Sequence, residues 1–170
     1  DLRVLTIRGW PLDSLPEHLG TLNNLEILHL WDLPAIQLPS SICALKNLKT
    51  LDIRRSAISA LPDCIGELKS LKNLGFYKSS IKSLPTSIGE LDQLIMINLE
   101  TDSIQYLPKT IGNLKRLERL YIHGTNLDTI PAEISHIATL KDFSLYGYQE
   151  AELYPWILAL ESLKSLSISG

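Results

Sequence analysis

Residues 48–70 read LKTLDIRRSAISALPDCIGELKS, and residues 71–93 read LKNLGFYKSSIKSLPTSIGELDQ. Set under one another they follow a single unit, LxxLxIxxxxIxxLPxxIGxLxx, with Phe76 in the place of the third apolar residue. Working outward, Leu2, Leu25, Leu48, Leu71, Leu94, Leu117, Leu140 and Leu163 recur every 23 residues without an insertion or deletion. Pro16, Pro39, Pro62, Pro85, Pro108 and Pro131 keep the same period, 14 positions after each first leucine. From Leu2 the frame holds seven 23-residue units and a partial eighth. Self-similarity at a fixed period of this length is the signature of stacked supersecondary units.

Each half of the unit has its own geometry. In Leu48-x-x-Leu51-x-Ile53 the apolar residues two apart point to one face of an extended strand. The chain returns to the same place with the same polarity every 23 residues, so successive strands must pair in parallel across a crossover of about a dozen residues or more. In Leu61-Pro62-x-x-Ile65-Gly66-x-Leu68-x-x-Leu71 the spacing changes to three and four, which suits a helical turn that proline opens. One unit cannot bury its own apolar face, but stacked units share a core in which each fully buried Leu or Ile contributes about 1.5–3 kcal/mol. The expected fold is an α/β solenoid: a right-handed arc with a parallel sheet on its concave face and short helices or 3-10 turns on its convex face. Residues 1–170 are expected to form one domain. Glycines 20, 66, 89 and 112 keep the period and read as places where adjacent convex turns pack closely.

The pattern resembles a leucine-rich repeat array, of the 23-residue kind whose second half reads LPxxIGxL, over essentially the whole chain. Such arrays occur in animal Ras-group scaffolds, plant intracellular immune receptors and effectors that bacteria inject into host cells. The resemblance implies a partner-binding horseshoe that is one domain of a larger protein. One column departs from the family: where its members carry Asn, this chain has Trp10, Leu33, Ser56, Ser79, Asp102, Thr125 and Tyr148. Ser, Thr and Asp can still satisfy local backbone groups; Trp10, Leu33 and Tyr148 cannot do so in the same way. The array starts at its first strand and stops half a repeat after Leu163, with no polar capping repeat at either end, so it is expected to be a piece of a longer protein.

Composition narrows the function. With 16 Lys+Arg against 19 Asp+Glu and no clustered basic run, nucleic-acid binding is not expected. Apolar stretches end at about five residues (Trp156 to Leu160), far short of the roughly 20 that cross a bilayer, so no membrane insertion is expected. Cys43 and Cys64 lie apart without a C-x-x-C spacing and are expected to be free, idle thiols on the convex side. The lack of an Asn-x-Ser/Thr acceptor leans towards an intracellular setting. Phosphate-loop, dinucleotide, H-E-x-x-H and G-x-S-x-G motifs are absent, and His18, His29, His123 and His136 fall in different repeats. No catalytic residue, metal site or cofactor is expected.

What remains is the concave face. The column four residues after each first leucine runs Thr6, His29, Asp52, Gly75, Asn98, Tyr121, Ser144 and Ser167. The column six residues after it runs Arg8, Trp31, Arg54, Tyr77, Glu100, His123, Tyr146 and Ser169. Aromatics make up only 6% of the chain, so several of them on the solvent side of a sheet suit an interface, where Trp, Tyr and Arg dominate hot spots. The expected contact residues are Arg8, His29, Trp31, Asp52, Arg54, Arg55, Tyr77, Lys78, Glu100, Tyr121, His123, Tyr146 and Tyr148. Arg54 is expected between the rings of Trp31 and Tyr77, with Arg55 and Lys78 adding positive charge. Tyr121, His123, Tyr146 and Tyr148 form a second, less charged patch. On the convex side Glu17, Lys46, Glu67, Lys69, Glu90 and Lys115 read as a solvated face. The seventh repeat breaks form, with Glu150 in an apolar position and Pro155 one place late, and is a candidate binding loop.

The reading is a non-catalytic module, expected to be monomeric, that binds a protein partner through its concave face. The family likeness extends this to the target-recognition part of a bacterial effector delivered into the host cytoplasm and, in its strongest version, attached to a ubiquitin ligase domain. A plant immune-receptor fragment, an intracellular scaffold and the recognition part of an enzyme fit the same repeats.

Overall fold

The structure is a computed structural model that describes every residue except 13, 36, 125, 126, 148–154 and 170. Eight five-residue strands form one parallel sheet in chain order: β1 (Val4–Arg8), β2 (Ile27–Trp31), β3 (Thr50–Arg54), β4 (Asn73–Tyr77), β5 (Met96–Glu100), β6 (Arg119–His123), β7 (Asp142–Tyr146) and β8 (Ser165–Ser169). Each strand pairs one repeat out of step with the last, as in Leu28 with Leu51 and Leu51 with Leu74. Leu28, Leu30, Leu51, Ile53, Leu74 and Phe76 point inward and are buried, which pins the register, because a slip of one residue would expose all of them.

The second half of each repeat is a 3-10 turn rather than an α-helix, for example Asp63–Glu67 and Thr86–Glu90. Proline stands one residue ahead of the turn, at the N-cap. Pro62 is extended (φ −65°, ψ 147°), and its carbonyl accepts the first bond, from the Ile65 amide at 3.0 Å. Ile65 then accepts from the Leu68 amide at 3.1 Å. The three-residue step brings Ile65 and Leu68 under the sheet, where both are buried, and five residues suffice before the chain turns back.

The altered column behaves unevenly. Ser56, 2% exposed, accepts a hydrogen bond from the Leu33 amide at 3.1 Å and directs its hydroxyl at the carbonyls of Arg54 (2.9 Å) and Leu30 (3.1 Å). In the fifth repeat the role shifts one place, to Thr101, which donates to the Ser79 carbonyl at 2.6 Å and accepts from the Ser103 amide at 3.3 Å. Leu33 joins the core and Trp10 stands outward, 62% exposed. Thr125 and Tyr148 lie outside the described residues, as does the stretch of the seventh repeat that includes Glu150.

The convex side corrects one expectation. Cys43 and Cys64 are not free: they form a disulfide, with Cα atoms 5.9 Å apart. The reason lies in the glycine column. Gly20 packs so closely on Ser41 in the next repeat, and Gly66 on Ser87, that a Cβ on either glycine would collide with the neighbour's carbonyl oxygen. Cys43 occupies the glycine position of the second repeat, and its partner is 21 residues on, the step from 20 to 41 and from 66 to 87. Around these junctions the convex charges pair from turn to turn, Lys46 with Glu67 at 2.8 Å and Lys69 with Glu90 at 3.6 Å. Exposed pairs of this kind add little to stability, because solvent and salt screen them.

Candidate protein-binding face

The concave columns stand as the strand alternation requires, with Trp31, Tyr77, Tyr121 and His123 half-buried and Arg8, Arg54, Arg55, Lys78 and Tyr146 exposed. The core does not use them, because the opposite face of each strand fills it with Leu, Ile and Phe.

Two patches result. In the first, Trp31 stacks on His29, with ring centroids 4.8 Å apart and planes at 16°. Its indole Nε1 donates to Asp52 Oδ2 at 3.3 Å, and the same oxygen accepts from Arg54 Nε at 2.7 Å. Asp52 thereby draws the Arg54 guanidinium to 5.3 Å from the Trp31 ring centroid, an arrangement worth about 0.5–1 kcal/mol at an exposed site. The expected two-sided stack is replaced by two one-sided ones: Lys78, not Arg54, covers Tyr77, at 5.5 Å.

Asp32 is the hub that sequence reasoning missed. Arg55 reaches it with Nε (2.6 Å) and Nη2 (3.1 Å), and Arg8 with Nε at 2.9 Å. The Arg55 hydrogen bond, partly opposed by desolvation and helped by Arg8, holds the Asp32 carboxyl down at about 2. Asp32 in turn raises the Arg55 pKa through the same hydrogen bond. Asp32, Arg55 and Lys78 follow β2, β3 and β4 in left-handed backbone (φ 54°, 44° and 46°), a conformation that Gly9, Gly124 and Gly147 supply in other repeats. A non-glycine residue there costs of order 1 kcal/mol or more. The available signal was positional: Asp32 stands at the same place in its repeat as Arg55 and Lys78 in theirs.

The second patch centres on His123, edge-on to Tyr146 at 4.6 Å and tilted against Tyr121 at 6.2 Å. The Ser144 hydroxyl, absent from the sequence-based set, pairs with its Nε2 at 2.9 Å. Tyr148 lies outside the described residues. Between the patches a cleft of about 560 Å³ opens at the turn where Thr101 departs from the left-handed column, lined by Lys78, Ser79, Glu100, Thr101, Asp102 and His123 among others.

Among the described residues no group of three or more His, Cys, Asp or Glu is placed to hold a metal ion, and no helix is long and apolar enough to cross a membrane.

Comparison with known proteins agrees with this architecture. A family model described as a leucine-rich repeat region matches residues 1–79 and 64–170. No curated protein matches the sequence. Among solved structures, a leucine-rich repeat protein of Leptospira interrogans is 29% identical, with a TM-score of 0.85 over 99% of this chain and 43% of that one. The leucine-rich repeat domain of the type III effector XopL is also 29% identical, with a TM-score of 0.73 over 85% of this chain and 52% of that one. The plant peptide hormone receptor RGFR1, solved in complex with RGF2, is 26% identical, with a TM-score of 0.75 over 96% of this chain and 31% of that one. The chain thus spans about half or less of the length of these neighbours.

Proposed function

The chain belongs to the leucine-rich repeat family, and from that premise we propose that its concave sheet binds a protein partner, with Trp31, Arg54 and Tyr77 central to one contact patch and Tyr121, His123 and Tyr146 to another. The family is in general a non-catalytic binding module, and that is the role proposed here. The observation that carries the reading is the held orientation of Trp31 and Arg54: one carboxylate oxygen of Asp52 fixes both, and His29 supports the ring. Side chains ordered before binding lose less entropy when a partner covers them.

The reading is tested by partner capture with the wild type and with a Trp31→Ala, Tyr77→Ala double variant of matching melting temperature. A partner retained by the wild type and lost by the variant supports it; equal retention overturns it.

Likeness to the effector domain at 29% identity supports a second layer of the proposal, recognition of a host protein by a bacterial effector. The Cys43–Cys64 disulfide favours an oxidising working environment over the reducing cytoplasm, because disulfides persist outside it. An extracellular partner-binding domain is therefore the second reading.

A further inference from the structure

We propose that the Cys43–Cys64 disulfide controls the geometry of the Trp31–Arg54 patch, so that the oxidation state of a bond on the convex side is transmitted to the concave side. This rests on the reading that the concave patch binds, and supplies its regulation.

The bond and the patch share one seam, the junction of the second and third repeats. On the concave side three contacts cross from β2 and its turn to β3 and its turn: Trp31 Nε1 to Asp52 at 3.3 Å, the Arg54 guanidinium over Trp31 at 5.3 Å, and Arg55 to Asp32 at 2.6 Å. On the convex side the same seam has no glycine. Four other junctions seat a glycine against the residue 21 positions later, Gly20 on Ser41, Gly66 on Ser87, Gly89 on Thr110 and Gly112 on Glu133. Cys43 has a side chain where those have none, and its bond to Cys64 ties the two turns together, with Cα atoms 5.9 Å apart. When the bond is broken the sulfurs part to non-bonded contact; Cys64, partly exposed, can turn outward, but Cys43 is buried and its thiol needs room between the turns. The β2–β3 ladder fixes strand spacing at about 4.8 Å, so in the proposal the seam makes that room by tilting, which changes the contacts that cross it on the concave rim.

Cys64 is partly exposed and Cys43 buried, so a dithiol reductant enters at Cys64. Its thiolate attacks the Cys64 sulfur, the disulfide breaks, and Cys43 leaves as a thiolate that takes up a proton. The reductant's second thiol, once deprotonated, then closes on the mixed disulfide and releases Cys64 as a thiolate that is protonated. Two electrons pass from the dithiol to the protein, and the reductant ends as its cyclic disulfide.

The test is a pair of amide ¹H–¹⁵N spectra of the whole chain, without and with dithiothreitol, alongside Cys43→Gly/Cys64→Ser, which recreates the pairing of Gly66 with Ser87. The expected result is that dithiothreitol moves the amides of 29–32 and 52–55 and the Trp31 indole as well as those of 40–45 and 62–68. The amides of 119–123 stay in place, and the variant does not respond. Shifts confined to 40–45 and 62–68 overturn the coupling, as do two titratable thiols in the denatured, unreduced protein. Loss of the whole spectrum in dithiothreitol also overturns it, since the bond would then hold the fold instead of tuning one face. Partner capture under non-reducing conditions separates this from the underlying reading: retention by Trp31→Ala sinks the binding patch and leaves the seam result untouched, and the converse also holds.

Discussion

Ser56 and Ser79 occupy the same place in adjacent repeats and are both buried, 2% and 4% exposed, yet the structure gives them opposite weights. Ser56 Oγ holds the Leu33 amide at 3.1 Å and meets two backbone carbonyls, whereas Ser79 Oγ has no hydrogen-bond partner among the described residues. Ser56→Ala leaves the Leu33 N–H buried and unpaired and removes a further bond, for a loss of about 2 kcal/mol. For a chain of this size that lowers the melting temperature by about 4–8 °C. Ser79→Ala removes only an unpaired buried hydroxyl, so its effect stays within about 0.5 kcal/mol and can be stabilising. Thermal and urea unfolding of the two variants beside the wild type measures both. Equal losses, or a larger loss at Ser79, would refute the claim that the altered column is sustained by particular hydroxyls.

Other outcomes follow from the same geometry. Replacing both cysteines with serine should cost about 3 kcal/mol, the loop-closure value for a bridge of sequence separation 21, and Cys43→Gly/Cys64→Ser should recover part of it by restoring glycine packing; urea midpoints compare the three proteins, and a double-serine variant as stable as wild type would contradict this. Asp32 is held down at about 2 from 3.8, so its contribution to stability is fully present above about pH 4 and is lost as pH falls through its folded pKa near 2. A carbonyl-carbon NMR titration should place its midpoint near 2 in the wild type and closer to 3.8 in Arg55→Gln, and equal midpoints would remove Arg55 as the main cause.

Most of the architecture was legible in the sequence because one periodicity carries it. Leu28, Leu51 and Leu74 face inward at the same place in successive repeats, and a 23-residue step leaves parallel pairing as the geometry that repeats them. Short helices and 3-10 turns were both open, since three- and four-residue spacing cannot separate them over five residues. The disulfide was hidden for a different reason. A search for C-x-x-C spacing looks along one turn, but the relevant contact runs between turns, and its interval of 21 is visible once Gly20 and Gly66 are seen to meet residues 41 and 87. On the concave face the columns predicted which side chains stand together but not which pairs form. Arg54 turns to Trp31 because Asp52 holds its Nε, leaving Tyr77 to Lys78. Asp32 lies beyond the reach of the alternation, one residue past the strand in a left-handed turn.

The central claim, that the partner is read by the concave patch, is tested most directly by titration calorimetry of a captured partner against three proteins: the wild type, Trp31→Ala/Arg54→Ala/Tyr77→Ala, and the convex control Lys46→Ala/Glu67→Ala. The account predicts that the concave variant loses at least about 100-fold in affinity, some 2.7 kcal/mol, while the convex control stays within about threefold of wild type. Wild-type affinity in the concave variant, or a loss confined to the convex one, would contradict it.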